Sequence, residues 1–445
     1  MKQILVSLLV CAAYALGFRS AAANDDSWLI DMPAVNVCVD FACQSPLIDT
    51  AGAFFCGNTA VLEPVFLKME RLRYLALTGI GYSEDIPREK LTILHIGDSH
   101  VQAGFLTDGL RRNFQRDFGD AGRGLVIPLR ITGTNEPLDY IIKSPNKWGA
   151  ARAADWTPSF EVGLGGVAIA TREGDVEFSI KSTSGRFDRI TAFHHAQAPL
   201  LVEDSLYSLG IMCDYGNTEM STYIQLSRPV DSVTLRASVT GQDYNTPIFY
   251  GFSLENGNNG VLYHSVGVNG CSYEHYNRSP QIMHQLAMLH ADVIIVSLGT
   301  NDAVGGTRFS ADNTYKSAEK FIKTLQESNP GAVIVLTTPM ESYTRNAVNP
   351  NVARVRDNIV RLAGEFDLPY WDMYAAAGGK GAMAQWYKNN MTQRDRLHFT
   401  QAGYALQGDM LYSAFVNGYN GFVPQPPVEF EPEPDMQWAL SPPAP

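Results

Sequence analysis

The last third of the sequence alternates apolar runs with amphipathic segments, and this alternation limits the folds that the chain can adopt. "ADVIIVSLG" (291–299) and "AVIVLTTP" (332–339) are predicted strands. The predicted helices are "NTYKSAEKFIKTLQES" (313–328), "NVARVRDNIVRLAGEF" (351–366) and "QAGYALQGDMLYSAFVN" (401–417). Strands that alternate with helices form βαβ units, so the pattern predicts an α/β domain with a parallel sheet.

The same strand-then-helix pattern occurs once more, far upstream. Ile93–Ile96 forms a short buried strand in this prediction, and "QAGFLTDGLRRNFQRDFG" (102–119) follows it as an amphipathic segment. Between these two regions, alternating Thr-, Val- and Tyr-rich runs broken by Gly, Asn and Pro predict an antiparallel β-sandwich. We therefore predict an α/β domain split into residues 91–127 and 262–420, with a β-rich insertion at 128–261. Residues 24–90 are predicted to form an N-terminal segment whose helix packs on the first strand.

The two ends of the chain differ in composition from the rest. Residues 1–23 combine Lys2, an apolar stretch from Ile4 to Phe18 and the small residues 21–23, which is typical of a cleaved signal peptide. A membrane anchor is the alternative, but about 15 apolar residues are fewer than the roughly 20 that a span needs. Residues 421–445 are proline-rich and acidic, which predicts a disordered tail or tether. We expect export to the periplasm, cell envelope or exterior, and a soluble mature chain.

Cysteines of an exported chain meet an oxidising compartment, where disulfides can form. Five would remain after cleavage, and the first three lie close enough in sequence for a local bridge: Cys38, Cys43, Cys56, Cys213 and Cys271. An odd number leaves at least one thiol unpaired, and the sequence does not decide the pairing. No Cys or His spacing resembles a zinc site, and no metal or organic cofactor is expected.

The first predicted strand ends abruptly in "GDSH" (97–100). A serine just after a buried strand can expose its hydroxyl on a tight turn, because Gly97 allows close backbone approach and Asp98 can hydrogen-bond the loop. Ser99 is then a candidate nucleophile. A Gly-Asp-Ser triplet also makes an ordinary helix N-cap, so the triplet alone does not establish catalysis.

Two further stretches supply the other groups that acyl transfer needs. "GTND" (299–302) follows a buried strand, and "DRLH" (395–398) places an Asp and a His three residues apart before a helix. Acyl transfer requires a nucleophile, a base, an acid that orients the base, and donors for the oxyanion. Ser99, His398, Asp395 and Asn301 match these roles in that order. The other histidines are predicted to be packed or surface residues.

Four ordered stretches, "GDSH", "VGVNG" (266–270), "GTND" and "DRLH", resemble the motif blocks of the SGNH, or GDSL-type, hydrolases. The resemblance implies a flavodoxin-like three-layer fold, here interrupted by the antiparallel β-sandwich. It implies that Ser99 is the nucleophile, His398 the general base and Asp395 the residue that orients the imidazole.

The resemblance also implies an oxyanion hole formed by the N–H of Ser99, the N–H of Gly270 and the side-chain amide of Asn301. Gly267 is the alternative donor glycine, three residues earlier. His100 stands where many family members have leucine, and a histidine there resembles the subgroup that acts on cell-wall and exopolysaccharide acetyl esters. A role restricted to shaping the loop is the other interpretation.

The position of the insertion resembles that in bacterial peptidoglycan O-acetylesterases, whose inserted module is similar to a carbohydrate-binding domain. We therefore expect an exported serine esterase that removes O-acetyl groups from a cell-envelope glycan, most simply O-acetylated peptidoglycan. The expected partner is an acetylated polysaccharide, either peptidoglycan or an exopolysaccharide. A net charge of −12 argues against a nucleic-acid partner. Two alternatives remain open: a polysaccharide O-acetyltransferase with the same triad, and a non-catalytic wall-binding protein.

Overall fold

A computed structural model describes residues 32–41, 47–79, 88–195, 200–202, 207–214, 220–238 and 247–422. The predicted signal peptide, the predicted tail beyond Phe422, Cys43 and the side chain of Cys213 lie outside this description. Cys38, Cys56 and Cys271 are free thiols. No helix among the described residues combines the length and apolar character needed to cross a membrane.

The secondary structure follows the predicted alternation. Within the described ranges the helices are α1 (Glu63–Thr78), α2 (Ser99–Gln102), α3 (Phe105–Phe118), α4 (Tyr273–Asn277), α5 (Pro280–Ala287), α6 (Ala311–Ser328), α7 (Asn351–Glu365), α8 (Met373–Ala376), α9 (Ala382–Lys388) and α10 (Gln401–Asn420). The strands are β1 (Cys56–Gly57), β2 (Lys90–Gly97), β3 (Gly124–Val126), β4 (Tyr140–Lys143), β5 (Gly149–Arg152), β6 (Val167–Ala170), β7 (Asp175–Ser182), β8 (Phe187–His195), β9 (Leu201–Val202), β10 (Tyr207–Asp214), β11 (Met220–Val230), β12 (Ser232–Ser238), β13 (Ile248–Glu255), β14 (Gly260–Gly267), β15 (Val293–Ser297), β16 (Val333–Thr337), β17 (Tyr343–Thr344), β18 (Ala347–Val348) and β19 (Pro369–Trp371).

A parallel sheet is the centre of the α/β part, as the sequence predicted. Its strands lie in the order β14, β2, β15, β16 and β19, all parallel, and β1 pairs antiparallel with β19 at one edge. Numbered along the chain, the parallel strands have the order 2-1-3-4-5, which is the flavodoxin-like arrangement. Sheets of this kind bind ligands at the carboxyl ends of the strands, next to the point where the strand order reverses.

Both faces of the parallel sheet are covered by helices, because the side chains of a strand point alternately to its two sides. Leu94 and Ile96 of β2 belong to one apolar core, which includes residues of α5, α6 and α7. Leu91 and Ile93 of the same strand belong to a second core with residues of α1, α3 and α10. The helix predicted within residues 24–90 is thus α1, which packs against the first strand.

Two antiparallel sheets lie in the chain between β2 and β14. The larger sheet has the order β10-β11-β8-β13-β6-β5, with β3 also paired to β13, and the smaller sheet has the order β4-β7-β12-β9. Phe178 and Leu235 of the smaller sheet share an apolar core with Phe249 and Phe252 of the larger one. Because β3 pairs with β13, the last strand of the predicted 91–127 segment belongs to the antiparallel sheet.

A buried ion-pair network joins the insertion to the α/β part. Asp139, in the insertion, accepts hydrogen bonds from Arg111 of α3 at 3.1 Å and from Arg123 at 2.9 Å. Burial acts to raise the pKa of Asp139, but the Arg123 and Arg111 guanidinium groups together hold it below its usual value. Removing one partner of such a network leaves a buried charge uncompensated, so the loss of Arg111 or Arg123 should destabilise this junction.

Two buried histidines make the stability of the fold depend on pH. His264 accepts a hydrogen bond at Nδ1 from the N–H of Leu125, and His95 bonds Tyr263 and Ser297 through its two ring nitrogens. Burial lowers the pKa of each imidazole to about 3. The folded state therefore keeps both rings neutral, while the unfolded chain binds protons below the ordinary histidine pKa of about 6.5.

We expect the free energy of unfolding to fall as pH falls from about 6.5 towards 3, because only the unfolded state takes up these protons. Each histidine contributes roughly 1.4 kcal/mol per pH unit in this window. His264→Gln keeps an acceptor for Leu125 and does not titrate, so the slope should decrease by about that amount. Urea unfolding of both proteins at several pH values between 6.5 and 4.5 measures the slopes. Equal slopes would show that His264 is protonated in the folded state.

Candidate active site

The turn after β2 is held by contacts that its sequence makes possible. A Cβ on Gly97 would lie 2.3 Å from Cγ2 of Val101, so the strand can turn into α2 only with glycine at this position. Asp98 caps α2 by accepting the N–H of His100 at 3.0 Å. The hydroxyl of Tyr276 donates to the carbonyl of Gly97 at 2.7 Å. Ser99 is thereby fixed at the carboxyl end of the parallel sheet.

The structure brings together the three predicted triad residues, although Ser99 and His398 are separated by 299 positions in sequence. Ser99 Oγ lies 3.0 Å from His398 Nε2, and His398 Nδ1 lies 2.7 Å from Asp395 Oδ2. The other oxygen of Asp395, Oδ1, accepts the N–H groups of Leu397 and His398, each at 3.0 Å. These are the contacts that a nucleophile, its base and the orienting carboxylate require.

Electrostatics favour the protonation states that a base needs. Partial burial acts to raise the pKa of Asp395, but the hydrogen bonds from the His398 ring and from the two backbone N–H groups hold it below its usual value. Asp395 is therefore ionised at neutral pH and keeps the imidazole proton on Nδ1. The lone pair on Nε2 then faces Ser99 Oγ and can accept its proton.

Asn301 lies beside the turn that carries Ser99, and Gly270 lies in the loop after β14. Asn301 Nδ2 donates to the carbonyl of Cys271 at 2.9 Å and to Asp98 Oδ2 at 3.1 Å, which places the amide next to the residue before Ser99. Gly270 has φ of +82°, and a Cβ there would contact nothing within 4 Å. Gly267 is instead paired with Gly97 in the sheet, and its Cβ would meet the backbone of Gln102 at 2.3 Å. Of the two glycines, Gly270 is therefore the open one.

Asn301→Ala should lower kcat by roughly 10²- to 10³-fold, the usual effect of losing one oxyanion donor, with little change in KM. The negative charge on the carbonyl oxygen develops only in the transition state. The Asn301 amide, which bonds Asp98 Oδ2 in this structure, would therefore interact more strongly with the transition state than with the bound ester. Steady-state kinetics on a soluble acetyl ester measures both constants. An effect confined to KM would assign Asn301 to substrate binding.

His100 and Tyr404 form a contact that the sequence did not predict. His100 Nδ1 lies 3.0 Å from the Tyr404 hydroxyl, and the His100 ring centroid is 5.4 Å from that of His398. Burial lowers the pKa of His100. A neutral ring at this position does not repel the positive charge that His398 acquires when it takes the serine proton. Only the histidine in place of leucine marked this position in the sequence.

Gln102 links the catalytic turn to the insertion. Its Nε2 donates to Thr134 Oγ1 and to Asn135, each at 2.9 Å, while its Oε1 accepts the N–H of Asn269 at 2.7 Å. Asn269 directly precedes Gly270, so one side chain connects α2, the candidate oxyanion loop and the insertion. No sequence pattern indicated this role, because its partners are 32 or more positions away.

Tyr273, Tyr276 and Trp386 are fully buried and belong to the two apolar cores. Among the residues described, no group of three or more His, Cys, Asp or Glu is arranged to hold a metal ion. Serine, imidazole, carboxylate and amide are nonetheless sufficient for acyl transfer, which needs a nucleophile, a base and oxyanion donors.

The chain is similar to known hydrolases. Residues 231–406 match the model of the GDSL-like Lipase/Acylhydrolase family. This range contains Gly270, Asn301, Asp395 and His398, whereas Ser99 lies upstream of it, on the other side of most of the insertion. No curated protein sequence matches the chain.

Solved structures extend the comparison. A peptidoglycan O-acetylesterase structure has a TM-score of 0.67 at 21% identity, and the match covers 81% of this chain and 97% of that one. A lipase/acylhydrolase from Enterococcus faecalis has a TM-score of 0.30 at 19% identity, with coverages of 35% and 76%. An acetylxylan esterase from Geobacillus stearothermophilus has a TM-score of 0.29 at 16% identity, with coverages of 37% and 74%. Only the first of these scores is high enough to show a shared fold.

Proposed function

We propose that this chain, whose residues 231–406 match the GDSL-like Lipase/Acylhydrolase family, is a carboxylic ester hydrolase that removes O-acetyl groups from a cell-envelope glycan, with O-acetylated peptidoglycan as the substrate. The extent of the structural match carries this proposal. The peptidoglycan O-acetylesterase structure aligns with 81% of this chain and 97% of its own length, with a TM-score of 0.67. A match of that extent reaches into the insertion, because it covers more residues than lie outside 128–261.

In the proposed mechanism, His398 Nε2 takes the proton of Ser99 while Oγ attacks the acetyl carbonyl carbon. The negative charge that develops on the carbonyl oxygen is stabilised by the Ser99 and Gly270 N–H groups and the Asn301 amide. The sugar oxygen then leaves with the proton held by His398, and acetyl-Ser99 remains. Water, deprotonated by His398, attacks the acetyl carbon in the same way, which releases acetate and restores the serine hydroxyl.

For the insertion, we propose a β-sandwich that faces the glycan. Support comes from the apolar core shared by its two antiparallel sheets. Trp156, on an insertion loop, is 79% exposed and lies over the Arg278 guanidinium, 4.8 Å from the ring centroid to Cζ. An exposed aromatic ring next to a cation gives the insertion a surface suited to a polar polymer.

The proposed location is the periplasm, cell envelope or exterior, with a soluble mature chain. Its support is the sequence of residues 1–23, with one basic residue, an apolar stretch and small residues in the order typical of a cleaved signal peptide. An acetylated envelope glycan would be present in the same compartment.

Acetate release from a panel of acetylated glycans tests the proposed substrate. We expect the purified protein to release acetate from O-acetylated peptidoglycan faster than from acetylated xylan or an acetylated exopolysaccharide, and Ser99→Ala provides the blank. Glycan products are analysed in parallel, because transfer of the acetyl group to another sugar hydroxyl would leave an acetylated acceptor. Cleavage of only small synthetic esters, or a clear preference for another glycan, would contradict the proposal.

A further inference from the structure

A cleft of about 720 Å³ separates α3 from the insertion. One wall consists of residues along α3 and the first turns of α10, and the other of the insertion segments 137–139 and 183–184. The lining residues extend from Ala103, before α3, to Asp120, after it. A helix of this length spans about 21 Å at 1.5 Å per residue, so the cleft is long enough for several sugar rings.

The upper end of the cleft, lined by Ala103, Gly104 and Gln401, is the end nearest in sequence to the triad candidates. Gly104 lines it five positions after Ser99, and Gln401 lines it three positions after His398. His398 Nε2 must reach the oxygen that leaves, and in a glycan acetyl ester that oxygen belongs to the sugar. The sugar therefore has to pass close to His398, which precedes Gln401 and the start of α10 by three positions.

Hydrogen bonds hold the insertion wall of the cleft in place. Thr183 donates its N–H to the carbonyl of Asp139 at 2.8 Å, and the Asp139 carboxylate is fixed by Arg111 of the opposite wall. Close to the upper end, a Cβ on Gly104 would lie 2.8 Å from Pro137, so the two walls approach each other there. A preformed cleft costs little ordering entropy when a ligand binds.

The side chains of the cleft suit an uncharged polar polymer. Three guanidinium groups and three carboxylates line it, so the formal charges balance: Arg111, Arg112, Arg116, Asp108, Asp120 and Asp139. The Arg112 side chain is 70% exposed and Leu138 is 73% exposed. The guanidinium donors of Arg112 and the apolar side chain of Leu138 are therefore accessible to a ligand. Guanidinium and carboxylate groups offer paired donors and acceptors, which hydroxyl and amide groups of a glycan can satisfy.

We infer that this cleft binds the glycan strand on the leaving-group side of the acetylated sugar. The inference rests on the proposed function for the direction of the strand. It assigns strand binding to the junction between α3, α10 and the insertion, so that both parts of the chain contact the polymer.

Strand binding in the Ser99→Ala background tests the cleft without catalysis. Soluble, unacetylated peptidoglycan strands are titrated into Ser99→Ala protein and into the same protein carrying Arg112→Ala, Leu138→Ser or Ala405→Trp, the last of which fills the cleft from α10. Arg112 makes an exposed i,i+4 ion pair with Asp108, so its loss should cost the fold little. We expect Kd to rise roughly tenfold or more for Arg112→Ala and Ala405→Trp, as lost charged hydrogen bonds or a steric block would cause.

Matched controls come from other helices. Arg361→Ala removes a 63% exposed arginine paired with Glu365, and Leu77→Ser replaces a 51% exposed leucine on α1. With Ser99 present, the cleft variants should also raise KM for polymeric substrate and leave hydrolysis of a small soluble ester unchanged.

Three outcomes overturn the cleft assignment: no strand binding by the Ser99→Ala protein, cleft variants that bind like the controls, or equal losses on polymer and small ester. Failure of the proposed function gives a different result, in which strands bind at the cleft but the active protein releases no acetate from acetylated peptidoglycan.

Discussion

Replacing Ser99 by alanine is expected to lower acetate release on the order of 10⁶-fold and to leave the fold intact. The change removes one hydroxyl, whose oxygen lies 3.0 Å from His398 Nε2. Cap and turn contacts of α2 come from Asp98 and Gly97, so they do not depend on the serine side chain. Acetate release measures the activity, and the thermal unfolding midpoint measures the fold.

A second replacement tests whether Ser99 and His398 act as a unit. The double variant Ser99→Ala/His398→Ala should be no less active than either single variant, because groups of one catalytic unit are not additive. Retention of more than about a tenth of the wild-type rate by Ser99→Ala would show that another residue is the nucleophile, since the residual activity of a triad lacking its serine is far lower.

Asp395→Asn is expected to lower kcat by about 10⁴-fold, although it changes only one atom of the side chain. Asp395 Oδ1 accepts two backbone N–H groups, from Leu397 and His398. An asparagine keeps those bonds only if its oxygen stays there, so its NH₂ group must face His398 Nδ1. The imidazole proton is then forced onto Nε2, and that nitrogen can no longer accept the serine proton.

The dependence of kcat on pH distinguishes this tautomer effect from general damage. Asp395→Ala serves as the comparison, because it leaves the imidazole free to adopt either tautomer but removes the backbone contacts. If the Asn variant lost less than about tenfold, the orientation of His398 would not depend on Asp395, contrary to the tautomer argument.

Much of the α/β part could be predicted from the sequence, because strand and helix periodicities are local properties. The runs 291–299 and 332–339 contain β15 and β16, and the helical patterns at 313–328, 351–366 and 401–417 correspond to α6, α7 and α10. The prediction of a parallel sheet is confirmed. Positions of Ser99 and Asn301 followed from the same pattern, since both come directly after predicted strands whose carboxyl ends meet at one edge.

Boundaries within the insertion were less predictable. Gly124–Val126 continues the chain from α3, yet it pairs with Ile248–Glu255, more than a hundred residues later. A short strand has the same local sequence whichever sheet it joins, because its hydrogen bonds are formed with a distant partner.

The sequence by itself determined the type and order of the α/β elements, the turn that carries Ser99 and the candidates for the site, because turn chemistry and side-chain periodicity act over a few residues. Tertiary structure alone decided which candidates meet. The 3.0 Å contact between Ser99 and His398, the His100–Tyr404 pair and the bridge made by Gln102 all join distant segments. The cleft beside α3 likewise lies between the α/β part and the insertion, and no local sequence pattern indicates that these two parts meet there. Such contacts depend on how whole layers pack, which no local pattern in the sequence encodes.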